Sequence, residues 1–263
     1  MMGKLKIGTK KLKNIKYKLI DFIKFFSQNK KVVNSYTDPE VVKILLEKTK
    51  IFLEETEFNS QLNDSDLQIM VIQKVANLKN GSVVIDFGGG AGIHYGNFKR
   101  NFPEIDINWI VIETDELVKQ AKVLENSELA FSSSLSQAVK SFDEIDLVFS
   151  DSALQYCSNP ISILNQLIET KPKNVILSRV MMTESSSYAS YQTSMMSKNG
   201  PGKLPKGVLD FMLRVPVFIT SKQDYIKTLK ASYDIVYEKF ESSVGDNLSQ
   251  KEFKTFSIYA KLI

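Results

Sequence analysis

The chain has 263 residues, 43% of them apolar and 24% charged, enough to bury one large core plus an appendage and too few for two full domains. A single cysteine, Cys157, excludes an internal disulfide and suits a reducing cytoplasm, and with a single histidine, His94, no His/Cys metal site is expected. No run of 18 apolar residues could span a membrane, and no apolar region with a small-residue cleavage site marks a signal peptide, so the expectation is a cytoplasmic protein.

The net charge of +4 hides an asymmetry. Residues 1–31 hold ten lysines and one acid, Asp21, for +9; the remaining 24 basic and 29 acidic residues give −5. Leu12, Ile15, Leu19, Phe22, Ile23 and Phe26 recur at helical spacing through the lysines. Such a basic amphipathic arm (1–34) fits an anionic membrane surface, peripheral at the inner membrane face, or a solubilising helix docked on the body. Nucleic acid is not expected, because no Arg-rich or aromatic recognition motif accompanies the lysines.

Tyr36-Thr37-Asp38-Pro39-Glu40 reads as a helix start, with Thr37 or Asp38 as N-cap and Pro39 in the first position. A second helix is expected over about 66–78, so 35–80 forms a helical cap before the first core strand. Asn80-Gly81 then turns the chain into Val83-Val84-Ile85-Asp86, a buried parallel strand ending in an acid. Gly88, Gly90 and Gly92 follow at every second position, with Gly89 between them. Four glycines in five residues mean that the backbone must turn sharply and leave room for something close. A helix from about Ile93 to Arg100 would point its N-terminus at the same space.

A P-loop would need Gly-Lys-Ser/Thr here, and a dinucleotide fingerprint would need Gly or Ala at Ile93. The acid-x-Gly-x-Gly-x-Gly pattern instead resembles motif I of class I S-adenosylmethionine (AdoMet) methyltransferases. The resemblance implies that the loop (Gly88, Gly89, Gly90, Gly92) cradles the methionine part of AdoMet and that Asp86 holds its amino group, directly or through water.

Ile107 to Ile112 form the second strand and end at Glu113, 27 residues after Asp86. A carboxylate there can accept both ribose hydroxyls, or merely mark the exit into solvent. A helix over about 115–125 leads to a short strand, 129–134, whose loop meets adenine in this fold; Ser134 stands where many relatives have Asp. Ile145 to Ser150 are strand four, Asp151 to Tyr156 the wall segment between cofactor and acceptor, 161–170 a helix, and 173–179 strand five. Strands alternating with helices predict a parallel sheet covered on both faces. Residues 181–221, rich in Ser, Gly and Pro, read as a long connection and a lid-like insertion. Two strand-like runs, 235–240 and 255–261, close the chain as an antiparallel pair.

Tyr36-Thr37-Asp38-Pro39-Glu40, Asp86-Phe87-Gly88-Gly89, Tyr95, Trp109 with Glu113, Leu154-Gln155-Tyr156, Arg179 and Gln192 occur in that order. Over about 35–240 the chain thus resembles a bacterial methyltransferase-like family often encoded in surface-polysaccharide gene clusters. The resemblance implies a Rossmann-like, doubly wound α/β sheet of the class I methyltransferase type over 81–263, mostly parallel with an antiparallel last strand. It implies AdoMet as cofactor and a glycan, glycan precursor or related small molecule as acceptor. Two departures are Ser178, where Asp usually precedes the arginine, and His94, where a small residue is common.

In-line attack on a sulfonium methyl asks the protein mainly for alignment, and a hydroxyl acceptor also benefits from a general base. His94 has the right unperturbed pKa range, with Asp151 and Tyr156 as alternatives, or His94 is only a helix-end residue. His94, Tyr95, Asp151 and Tyr156 are expected to line one acceptor pocket, with Gln155 and Gln192 beside it. Arg179 either holds an acidic acceptor or makes a structural ion pair. The competing functions are a catalytically silent AdoMet-fold protein at a membrane or partner surface and, third, a dinucleotide oxidoreductase.

Overall fold

The computed structural model describes residues 32–33, 35–57, 64–245 and 252–263. The basic arm, 1–31, lies outside the described residues. In chain order the elements are β1 (Val32–Val33), α1 (Pro39–Glu57), α2 (Asp64–Ala76), β2 (Ser82–Phe87), α3 (Ile93–Asn101), β3 (Ile107–Ile112), α4 (Asp115–Ala121), β4 (Leu129–Ser132), α5 (Leu135–Ala138) and β5 (Leu147–Asp151). There follow α6 (Pro160–Glu169), β6 (Asn174–Thr183), β7 (Tyr188–Met195), β8 (Met212–Ser221), α7 (Lys222–Lys230), β9 (Tyr233–Gly245) and β10 (Glu252–Leu262).

The main sheet runs β4-β3-β2-β5-β6-β10-β9. All its strands are parallel except β10, which is antiparallel to β6 and β9. Side-chain alternation sends each strand's apolar residues to both faces. Val83, Ile85, Ile110, Ile112 and Val148 pack with Leu164 and Leu167 of α6 and Tyr225 and Leu229 of α7. Val84, Trp109, Val111, Leu147 and Phe149 pack with Ile69 and Ile72 of α2, Phe98 of α3 and Leu117 of α4. The sheet is therefore doubly wound in a Rossmann-like manner, mostly parallel with an antiparallel last strand.

The stretch after strand five differs from the expected irregular connection. The fifth strand continues to Thr183, and two further strands of eight and ten residues follow. β8 pairs with β6 only at Met182–Thr183, carries β7 antiparallel along one edge and β1 parallel at Met212–Leu213. Pro216 sits where the edge of β8 opposite β7 carries no strand, a position a strand allows proline. A third small core of Val33, Val41, Ile44, Met196, Phe211 and Leu213 joins this subsheet to α1.

Asp38, not Thr37, caps α1: its Oδ1 accepts the N–H groups of Glu40 and Val41 at 3.0 and 3.2 Å. Nearly three turns further along, fully buried Lys48 donates to the carbonyls of Met196 (3.1 Å), Ser197 (3.2 Å) and Asn199 (2.5 Å). Burial lowers its pKa, yet three convergent carbonyls suit an ammonium with three donors. The contact fastens the β7–β8 loop to the cap.

Candidate functional site

The glycine loop leaves β2 at the carboxyl edge of the sheet, where ligands bind in open α/β folds. Gly88, Gly90 and Gly92 all have positive φ, at 73°, 59° and 79°. Their surroundings differ. A Cβ on Gly88 would lie 2.1 Å from the Ala153 Cβ, and one on Gly89 2.2 Å from Asp86 Oδ2, so internal packing excludes side chains at both. A Cβ on Gly90 would meet nothing within 4 Å: it points into open space. Beside it, Glu113 Oε1 accepts the Gly90 N–H at 3.2 Å and Oε2 accepts the Thr114 N–H at 2.9 Å. Burial raises the Glu113 pKa against the pull of these two donors. A cavity of about 490 Å³ opens here, lined by Thr37, Glu113, Thr114, Asp115, Glu116 and Ser133.

The second feature is a chain of four charged side chains. Asp86, fully buried, accepts from Trp109 Nε1 at 3.0 Å and faces His94 Nδ1 at 2.9 Å. The other ring nitrogen, His94 Nε2, lies 3.7 Å from Asp151 Oδ2. Asp151 in turn receives a bidentate contact from Arg179, Nε to Oδ1 at 2.8 Å and Nη2 to Oδ2 at 2.5 Å. Burial by itself lowers the His94 pKa, but the Asp86 charge and the contacts to both carboxylates override it and hold the ring up at about 10. His94 is therefore an imidazolium at neutral pH, holding a proton rather than ready to take one. Asp151 is held far below the usual carboxylate range by His94 and Arg179, against its burial. Two carboxylates and two cations balance, which is how such burial of charge is sustained.

Backbone strain marks the same place. Arg179 and Ser152 both have positive φ, 51° and 56°, without being glycine, at a cost of about 1–3 kcal/mol each. At Arg179, β6 bulges against β10, so that Ser178 and Arg179 together oppose Ser257. The bulge aims Arg179 at the end of β5. Ser178 accepts from Gln68 of α2 at 3.0 Å, tying the cap to this edge.

The third feature is an aromatic and amide cluster. Tyr156 donates to Gln192 Oε1 of β7 at 2.5 Å, and its ring stands edge-on to Tyr36 at 5.1 Å between centroids. Tyr36 donates to Asn199 Oδ1 at 2.6 Å. Burial raises the pKa of both tyrosines, so both stay protonated.

The structure brings His94, Asp151 and Arg179 together and sets Tyr156 and Gln192 beside them. Three expected residues lie elsewhere. Tyr95 does not join His94: its hydroxyl donates to Glu128 at 2.9 Å and its ring faces Trp109. Neighbouring helix residues point about 100° apart, so both cannot face the sheet edge. Ser134 caps α5, accepting the Gln137 N–H, and it is Ser133 that lines the cavity. Gln155 is fully buried and donates inward to Ser152 Oγ at 3.0 Å. Asp86 shows no exposed surface and sits beneath Gly89. Thr37, Ser133, Tyr36 and Asn199 were not singled out for the site; Thr37 and Tyr36 lie in the Tyr-Thr-Asp-Pro-Glu stretch, whose helix-start signal masked them.

No protein-family model and no curated protein matches the sequence. Solved structures do. Coclaurine N-methyltransferase bound to N-methylheliamine and SAH is similar with a TM-score of 0.50 at 11% identity, over 89% of this chain and 84% of that one. The SAM-bound amino pentose methyltransferase of Micromonospora echinaspora has a TM-score of 0.44 at 12% identity, over 79% and 94%. The 1,6-didemethyltoxoflavin-N1-methyltransferase of Burkholderia thailandensis has a TM-score of 0.44 at 10% identity, over 85% and 89%. At 11% identity the first of these shows a likeness of fold alone.

Proposed function

We propose that this chain is an AdoMet-dependent methyltransferase acting on a small-molecule acceptor, with a surface glycan or glycan precursor as the finer reading. One observation carries the first part: the Cβ direction of Gly90 is open, beside Glu113 and a cavity large enough for a nucleoside. The left-handed φ of 59° already favours glycine there, and the empty Cβ direction leaves the loop backbone open to a ligand. Glu113, now spent on two backbone N–H groups, would turn to the ribose hydroxyls. Thr37 and Ser133 would border the nucleoside, and Asp86 would act from below by fixing Gly89 and His94. The glycan reading is supported by the sequence resemblance.

AdoMet supplies an already activated methyl group. The chain's part is to place the acceptor and handle its proton. His94 keeps its proton, so its role is to hold Asp86 and Asp151 in register rather than to act as the base. Asp151 remains the candidate base for a hydroxyl acceptor, once released from Arg179, whereas Tyr156, which keeps its proton, could only donate a hydrogen bond to the acceptor once released from Gln192. A nitrogen acceptor bringing its own lone pair needs neither, and that occupied geometry favours it as a second reading.

Calorimetry of the full chain with AdoMet, S-adenosylhomocysteine and NAD tests the cofactor. Saturable binding of the first two and none of NAD is expected. Absence of both at millimolar ligand, or preference for NAD, overturns the proposal. Transfer of radiolabelled methyl to extracted glycans, against an amine panel, separates an active enzyme from a silent AdoMet-binding protein.

A further inference from the structure

We infer that the solvent face of α2, with the neighbouring margin of β9 and β10, is a dimer interface, and that its occupant is the same face of a second copy of this chain. The inference stands apart from methyl transfer and rests on α2 being apolar all round. Ile69, Ile72 and Ala76 point into the core that they share with Trp109 and Phe98. The side turned away from that core carries Leu67, Met70, Val71 and Val75, exposed by 52, 39, 59 and 38%. At about 100° per residue the two sets lie on opposite sides of the helix. Single exposed apolar residues are ordinary, but four on one 13-residue helix are not. A helix that is apolar on every side is built to be covered.

The face continues onto the sheet. Tyr259 of β10 donates to the Val75 carbonyl at 3.1 Å, and Tyr237 of β9 lies opposite Tyr259 in the ladder, so both side chains stand on the α2 side. Tyr237 is 54% exposed. Phe256, Ile258 and Ala260 of β10 pack into the core on the other face, and no residue of β9 or β10 joins the core under α2. The four α2 side chains leave on the order of 300 Å² of apolar surface in water, the size at which a patch on a single chain is often functional. With the two tyrosines it nears the roughly 450 Å² of apolar surface that each side of a standard-sized interface contributes.

The spacing says what covers it. Leu67, Val71 and Val75 are four residues apart, so the stripe is the same in both directions from Val71. An antiparallel α2 from a second copy, related by a two-fold axis at Val71, sets Val71 against Val71 and Leu67 against Val75 twice over. It also brings the second copy's Leu67 beside Tyr259. Such self-complementarity is what an isologous dimer needs. The charges agree. Asp64 is exposed at the start of α2, Lys74 in its last turn and Lys79 just beyond it. Antiparallel packing brings each acid toward the other copy's lysines and opposes the two helix dipoles. Two lysines against one acid are too weak a field for an anionic membrane or a nucleic acid. Gln68, on the flank of the same helix, donates to Ser178 beside Arg179, so each copy would brace the other's cap over the acceptor edge.

Analytical ultracentrifugation of the full chain tests this, with a dimer expected at micromolar concentration. V71R should weaken self-association at least about 100-fold, because two cations then meet at the axis. Its circular dichroism spectrum should be unchanged, since the Val71 side chain is more in water than in the fold. V123R adds the same charge after α4, where Val123 is 78% exposed, and should stay within about twofold of wild type. V71C serves if the arginine variant misfolds. Oxidation with copper phenanthroline should join its two copies by a disulfide at the axis, whereas V123C, and the wild type with Cys157 alone, should stay unjoined. The inference is overturned if the wild type is a monomer up to about 100 μM, if V71R dimerises like the wild type, or if V71C is joined no better than V123C. A monomer that takes a peptide or a neutral vesicle on this face overturns it equally. None of these results bears on AdoMet binding, which calorimetry reads separately.

Discussion

The two halves of the sheet's carboxyl edge are built in different ways. The β2–β3 half is made of backbone: three left-handed glycines, an N–H donated to Glu113, and a Cβ direction left open at Gly90. The β5–β6 half is made of side chains that meet from far apart in sequence: Asp151 with Arg179, Tyr156 with Gln192, Gln68 with Ser178 and Tyr36 with Asn199. His94 belongs to both, with one nitrogen on Asp86 and the other toward Asp151. A backbone cradle can hold a ligand whose polar groups are fixed, whereas a side-chain network can be retuned residue by residue. The first arrangement suits a cofactor and the second an acceptor.

The comparison breaks most severely at the shared joint. Asp86→Asn leaves the His94 cation with one partner and should cost about 3–5 kcal/mol in urea unfolding, because breaking one side of a buried pair strands the other. Gly90→Val touches the backbone half alone. It should lower affinity for S-adenosylhomocysteine at least about 100-fold in calorimetry while costing only about 1–3 kcal/mol of stability for the left-handed backbone. Lys48→Met removes the ammonium from the Met196, Ser197 and Asn199 carbonyls, of which Met196 keeps the Asn199 N–H at 3.1 Å, and should cost about 1–3 kcal/mol, with hydrogen exchange rising around Met196–Asn199.

A graded loss should come from pH. His94 has its folded pKa raised from 6.5 to about 10, so its contribution to stability is full below pH 6.5 and drains away as pH climbs to about 10. Denaturant midpoints across that window should fall for the wild type, and fall less for His94→Gln. A flat wild-type profile would mean that the ring is not charged in the fold. The smallest effect belongs to Tyr156→Phe, which removes one hydrogen bond to Gln192 and should cost about 0.5–1.5 kcal/mol of stability without changing cofactor affinity.

What could be read from the sequence follows the same division. β2, its glycines and Glu113 are local signals, a buried run, a turn and a strand-ending acid, and all lie at one edge. The partners of the other half are invisible one-dimensionally: nothing near Arg179 says that a bulge opposite Ser257 will aim it at Asp151. His94 could be picked out by residue type, but its charge depends on two carboxylates brought in by separate strands. Tyr95 follows His94 after the glycine loop, but one helical step turns it about 100° away, toward Glu128 and Trp109, which adjacency in sequence does not reveal. β7 and β8 are hard to read in one dimension, because Tyr188–Met195 is mostly polar and small and Pro216 discourages a strand reading. α7, by contrast, shows its period in Tyr225, Ile226 and Leu229, and could have been found.

The most direct test of the central claim is a crystal structure of the complex with S-adenosylhomocysteine. It should show the ligand against Gly90, the Glu113 carboxylate moved from the Gly90 N–H to the ribose hydroxyls, and Asp86 still on His94 and Trp109. A ligand bound away from the glycine loop, or Glu113 still closed on Gly90 with the ribose elsewhere, would contradict it.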